Sequence, residues 1–249
     1  MSGGGSPAPM PTAGFVDCHS HVCPSGDDGA STVPEGAVLC REAARRGTAV
    51  LFATPHVWPH LPLTAERERE IRSAFAELRP AAGLELRLGF ELTPHRRLLA
   101  DDPRRYALEG TDCVLMEVPF SGPVDVLVEL AEHAELEGLR PVIAHPERTE
   151  SVLAEPAIAR DLAARDWALQ VNGSSLLGRH GEASAEAGWE LVESGLAALV
   201  ASDGHRPTRP PHLDEAWRLV SERLGPERAR PLFDGSALGV RPLQRERTA

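Results

Sequence analysis

The chain has 249 residues, 42% of them apolar and 4% aromatic, and a formal net charge of −11 at pH 7. That acidity argues against nonspecific binding to nucleic acid, which needs a basic surface, and no apolar run approaches the ~20 residues that span a bilayer. No membrane insertion is therefore expected.

Residues 1–13, MSGGGSPAPMPTA, lack the basic start and apolar run of a signal peptide and read as a disordered leader. Strand-like runs then follow at 14–19, 48–54 (TAVLFAT), 84–91 (LELRLGFE), 112–118 (DCVLMEV), 140–145 (RPVIAH), 167–172 (WALQVN) and 197–202 (AALVAS). Helical patterns separate them at 34–46, 64–80, 123–138, 155–165 and 182–194, with a last pair at 212–224 and about 227–233. Gly47, Gly138 and Gly195 stand where helix C-caps belong. Strands alternating with helices predict a parallel sheet with right-handed crossovers. No GxGxxG follows the first strand and no Walker loop occurs, so dinucleotide and P-loop folds lack their fingerprints. The expected fold is α/β: a single-domain, distorted (β/α)7 TIM-like barrel over residues 14–240, with a tail at 241–249.

The polar residues gather where strands end. The first strand carries Asp17, His19 and His21 at alternate positions, which on a strand point one way. Asp28 follows on the next loop. His56 ends the second strand, Glu91 the third, Glu117 the fourth, His145 the fifth, and Asp203 and His205 the seventh. The steps from His21 through His56, Glu91 and Glu117 to His145 run from 26 to 35 residues, each the size of one βα unit. In such a barrel the C-terminal strand ends meet at one mouth. Taken singly, each residue also reads as a hydrogen-bonded core histidine or an arginine-paired carboxylate. Together they read as a metal site, because unpartnered buried charge at nearly every strand end would be very costly. Five imidazoles and four carboxylates suit manganese, iron or zinc, and nine donors imply two to three divalent ions per chain.

The remaining histidines, at 60, 95, 133, 180 and 212, are expected in solvated loop or helix positions. The four cysteines, at 18, 23, 40 and 113, show neither CxxC nor zinc-finger spacing. They fit a reduced, cytoplasmic chain, and no Cys-x5-Arg loop offers a thiol nucleophile.

The ordered set HSH…DDG, ATPH, GFE, MEVPF, VIAHPER, QVNGSSLLG and ASDGHRPTRPP, running from about residue 14 to 224, resembles the polymerase-and-histidinol-phosphatase (PHP) superfamily. Within it, the chain is most similar to the bacterial metal-dependent tyrosine phosphatases of capsule and exopolysaccharide operons. The resemblance implies a trinuclear cluster, usually assayed with manganese. Its ligands would be His19, His21, Asp28, His56, Glu91, Glu117, His145, Asp203 and His205. Arg148 of HPER and Arg209 of RPP match the phosphate-binding arginines, and the PF after Glu117 is a departure that alters the pocket wall. The implied substrate is a phosphotyrosine protein, a bacterial tyrosine kinase, attacked by a metal-bridged hydroxide. The alternative is another phosphoesterase of this type acting on a small ester such as histidinol phosphate. Trp58, on the loop after the second strand, is either a stacking surface for a phenyl ring or a loop anchor.

Overall fold

A computed structural model describes residues 13–241; residues 1–12 of the expected leader and 242–249 of the expected tail lie outside the described residues. Nine strands are seen among the described residues: β1 Phe15–Asp17, β2 Thr48–Ala53, β3 His56–Val57, β4 Glu85–Leu88, β5 Glu91–Leu92, β6 Cys113–Glu117, β7 Arg140–Ala144, β8 Ala168–Asn172 and β9 Ala197–Ala201. The helices between them include α1 Val33–Arg45, α2 Ala65–Leu78, α3 Asp125–Leu136, α4 Glu150–Ala154, α5 Ala157–Ala163, α6 Gly173–Leu176, α7 Glu182–Glu193 and α8 Asp214–Leu224. Local chemistry sets their starts. Thr32 accepts the Glu35 amide while Glu35 accepts the Ser31 amide, and Thr64 accepts the Arg67 amide.

All strand pairs are parallel, but they form two sheets rather than one continuous barrel wall: β1-β2-β4 and β3-β5-β6-β7-β8-β9. The expected third strand, 84–91, is interrupted, and an additional short strand carrying His56 follows the expected second, 48–54, so nine strands stand among the described residues where seven were expected. Thr54 and Pro55 separate β2 from β3, and proline has no amide to give to a ladder. Gly89 and Phe90 separate β4 from β5, where a β-carbon on Gly89 would stand 2.4 Å from the Leu108 side chain. The Thr54 amide crosses instead to Ser20 O at 2.7 Å. Beyond β1 and β9, the His21 amide meets Gly204 O at 2.7 Å and the Asp203 amide meets His19 O at 2.9 Å.

The strands bury both faces, as parallel strands covered by helices do. One apolar cluster lies between strands and helices, with Leu51, Val114, Ile143, Val171 and Val200 against Leu39, Ile71, Leu127, Leu191 and Trp217. A second, smaller cluster takes the alternate positions: Val50, Phe52, Cys113, Leu115, Val142, Ala144, Leu199 and Ala201, with Val16, Cys18, Leu238 and Val240. Two residues beyond Leu115 and Ala201 in the chain come Glu117, the last residue of β6, and Asp203, past the end of β9.

Candidate metal centre

Glu91 is the hub. It opens β5 in register with His56 of β3 and Leu115 of β6, and its carboxylate is fully buried. Oε1 lies 2.9 Å from His145 Nε2, while Oε2 lies 2.9 Å from His56 Nδ1, 3.1 Å from His19 Nε2 and 3.3 Å from His21 Nε2. Asp203 is the second hub. Its Oδ1 stands 3.5 Å from His19 Nε2, His21 Nε2 and His205 Nδ1 alike. Its Oδ2 accepts from Arg148 at 2.8 Å, from Asn172 Nδ2 at 2.7 Å and from Arg209. The backbone is held in the left-handed region at both His145 (φ 37°) and Asp203 (φ 53°). Such conformations are costly for residues bearing a β-carbon, and they cluster at functional sites.

Seven of the nine expected ligands thus come together. Among the described residues, three donor sets have their ligand atoms within 4.8 Å of one another: His21, His56 and His205; His19, Glu91 and His145; His19, His21 and Asp203. Asp28 stands at the rim with its side chain 58% exposed, Oδ1 3.3 Å from His205 Nε2 and 3.6 Å from His56 Nε2. Glu117 lies outside the three sets and accepts a hydrogen bond from the Thr93 hydroxyl.

Asp17 departs from the expected alternation. Regular strand ends at Asp17, so the period of two does not carry on to the histidines. Its carboxylate accepts the Ser202 amide at 3.0 Å and the His19 amide at 3.4 Å, stapling β1 to the segment after β9.

The electrostatics follow from burial set against pairing. Burial works against the charge on Glu91, but His19 and His56 hold it well below the usual carboxylate range. Asp203 is lowered in the same way, against burial, by His19, His21, His145 and Arg209. His19 is raised despite burial, by Glu91 and Asp203. Glu117 moves the other way, pushed up to about 8 by burial and by neighbouring Glu91. Burial raises all four thiols, Cys23 and Cys40 to about 12 and Cys113 to about 11, so none is poised as a thiolate.

The supporting residues were not singled out from sequence. His19 Nδ1 donates to Gln170 Oε1 at 3.0 Å, which orients the ring with Nε2 facing Glu91 and Asp203. Gln170 Nε2 donates to Asn172 Oδ1 at 2.8 Å, and Asn172 reaches Asp203. Asp27, whose carboxylate is buried, accepts the His56 amide at 3.0 Å and faces His21 Nδ1 at 3.5 Å. Gly29 closes this turn because a β-carbon there would lie 2.3 Å from His21 O. The alternation of Gln170 and Asn172 at the end of β8 was the available signal. Glu147, buried and pushed up to about 7 by burial, accepts the Asn172 amide and the Ser175 hydroxyl and ties the turn after β7 to β8.

The donor set fits divalent ions. His19 Nε2 and His21 Nε2 face each other at 3.1 Å with Glu91 Oε2 beside both. Glu91 Oε2 and His56 Nδ1 are buried without a well-formed hydrogen bond. Such crowded, inward-facing lone pairs are what a cation binds.

Of the five other histidines, only His60 is exposed; the rest are partly buried, against expectation. His180 hydrogen-bonds Ser175 at 2.9 Å, and it lies in the field of Arg148 and Arg209. No helix among the described residues is long and apolar enough to cross a membrane.

A sequence profile of the capsular polysaccharide synthesis, CpsB/CapC, family matches residues 15–238. The chain is 30% identical over 234 residues to the tyrosine-protein phosphatase YwqE of Bacillus subtilis (strain 168), an alignment covering 91% of this chain and 92% of YwqE. It is 26% identical over 242 residues to the tyrosine-protein phosphatase CpsB of Streptococcus agalactiae serotype III (strain NEM316), covering 91% and 98%. Among solved structures, one from a study of YwqE from Bacillus subtilis and CpsB from Streptococcus pneumoniae, described as unique metal-dependent tyrosine phosphatases, matches with a TM-score of 0.77. Identity there is 27%, over 93% of this chain and 100% of that one.

Proposed function

The chain belongs to the capsular polysaccharide synthesis CpsB/CapC family, and we propose that it is a metal-dependent protein-tyrosine phosphatase of capsule or exopolysaccharide synthesis. Its phosphatase unit spans 14–240, the two sheets forming one distorted barrel, and it works in the cytoplasm on a phosphorylated tyrosine kinase. His19, His21, Asp28, His56, Glu91, Glu117, His145, Asp203 and His205 hold two to three divalent ions, manganese by preference, with iron or zinc as substitutes. When bound, these ions supply a nucleophile from water at neutral pH and offset phosphoryl charge.

The observation that carries this reading is the meeting of Arg148 and Arg209 on Asp203 Oδ2, the carboxylate whose other oxygen faces three imidazoles. Two guanidiniums and the donor layer therefore converge on one spot. A phosphoryl group entering there meets both forks, which form charge-assisted hydrogen bonds to its oxygens and stabilise charge in the transition state. Gln170 and Asp27 keep His19 and His21 oriented meanwhile. Tyrosine phenolate, with a pKa of ~10, leaves without a strong general acid. A small ester such as histidinol phosphate is the less favoured substrate, since the relatives are named as protein phosphatases.

The test is to reconstitute the chain with manganese and compare kcat/KM for a phosphotyrosine peptide and for histidinol phosphate, with and without chelator. The peptide should be preferred and chelator should abolish turnover reversibly. Preference for histidinol phosphate, or indifference to chelator, would overturn the reading.

A further inference from the structure

Two aromatic rings border the donor layer, Trp58 after β3 and Phe120 after β6. Trp58 is engaged already. It lies near-parallel to His56 at 4.3 Å and to His60 at 5.1 Å between ring centroids, one indole in a stack of three rings. It is a stacking partner within the chain rather than a surface for a substrate ring.

Phe120 differs. It is 49% exposed, and the other exposed large apolar side chains among the described residues, Val38 and Leu136, lie on α1 and α3. The Phe120 ring sits 6.0 Å from the His145 ring and 5.4 Å from the Arg148 guanidinium carbon. Its backbone is fixed, because Phe120 O accepts the Glu150 amide at 2.9 Å and Pro119 O accepts the Ser151 hydroxyl at 3.4 Å. The ring is thus positioned from two sides and leaves apolar surface open beside the residue that receives phosphate.

We propose that Phe120 is the specificity-determining wall of this site, receiving the phenyl ring of an aryl phosphomonoester anchored on Arg148. The inference rests on the phosphatase reading and deepens it, by naming what separates tyrosyl phosphate from seryl or alkyl phosphates. An ester held by Arg148 carries its first carbons past Phe120. A phenyl ring there gains an aromatic contact and covers exposed apolar surface, and an alkyl ester has no ring to place.

The experiment uses the manganese-loaded full chain, with phenyl phosphate and glycerol 2-phosphate as probes. Wild type, Phe120→Ala and Phe120→Trp are each measured on both esters. Every variant is compared with wild type on the same ester, so leaving-group chemistry cancels. Phe120→Ala should lower kcat/KM for phenyl phosphate about 10-fold, mainly through KM, and for glycerol 2-phosphate less than about 2-fold. Phe120→Trp should restore most of the aryl activity. Equal losses on both esters, or no loss on either, would overturn the proposal while leaving the phosphatase reading intact. A wild type that turns over neither ester takes down both together.

Discussion

The inward-facing strand positions form two layers of opposite chemistry. Below, Phe52, Leu115, Val142 and Ala201 pack as an apolar plug. Directly beyond stand Glu117, the last residue of β6, and Asp203, two residues past the end of β9, joined by the imidazoles and Glu91. Both layers are buried: Leu115 and Glu91 are each 0% exposed. Burial therefore acts on them in opposite senses. It stabilises the lower layer by roughly 25 cal/mol per Å² of apolar surface. In the upper layer it opposes every charge and is tolerated only through pairing. On the proposed function, stability resides in one layer and chemistry in the other.

The largest test of that division is Asp203→Asn. If the upper layer is built for chemistry, kcat/KM on a phosphotyrosine peptide should fall about 1,000-fold and bound metal should drop, since the variant touches three imidazoles and two arginines at once. Retained turnover with full metal content would erase the distinction. Leu115→Ala probes the other side. Denaturant melts should show a loss of about 3 kcal/mol, while kcat per folded molecule stays near wild type. A Leu115→Ala protein that folds stably but is inactive would mean that the layers are not separable.

Arg148→Ala and Arg209→Ala sharpen the comparison within the upper layer, separating phosphate handling from metal holding. Each should lose about 100-fold in kcat/KM with metal content unchanged, and lysine should rescue poorly for want of a planar fork. Near-normal turnover in both would return these arginines to the role of ion-pair partners.

The smallest effect concerns the reach of the positive rim. His180 is held down to about 4, by burial and by Arg148 and Arg209, whereas an unfolded imidazole titrates near ~6.5. The folded state therefore favours the neutral ring. The stability this contributes is fully present above pH ~6.5 and is lost as pH falls through about 4. Comparing denaturant midpoints at neutral and acid pH, His180→Gln should show a shallower fall than wild type. Identical falls would sink the assignment.

Most of this layering was legible because charge at a strand end is conspicuous against an apolar run. The gathering of His19, His56, Glu91 and His145 followed from it, while the strand windows came from apolar runs and the Gly47, Gly138 and Gly195 caps, with φ of 95°, 80° and 79°, from where helical patterns stop. What escaped was neutral or ambiguous. Gln170 and Asn172 carry no charge, so they read as an ordinary strand end. Asp27 and Asp28 are identical neighbours, and only the fold shows one carboxylate buried beside His21 and the other at the rim. Asp17 misled because an alternation argument holds only while the strand continues. The break at Gly89 depends on a long-range contact with Leu108, which no local window contains, whereas Pro55 was a local signal for the break before His56.

The left-handed backbone at His145 and Asp203 also bears on how this sequence tolerates change. A β-carbon in that conformation costs ~1–3 kcal/mol, and glycine would relieve it at either position. The same change would leave Glu91 without His145, or three imidazoles and two arginines without Asp203, and breaking buried pairs costs more than the strain returns. Laboratory selection for heat resistance alone should therefore keep both side chains, strained backbone included, even where hydrolysis is not scored.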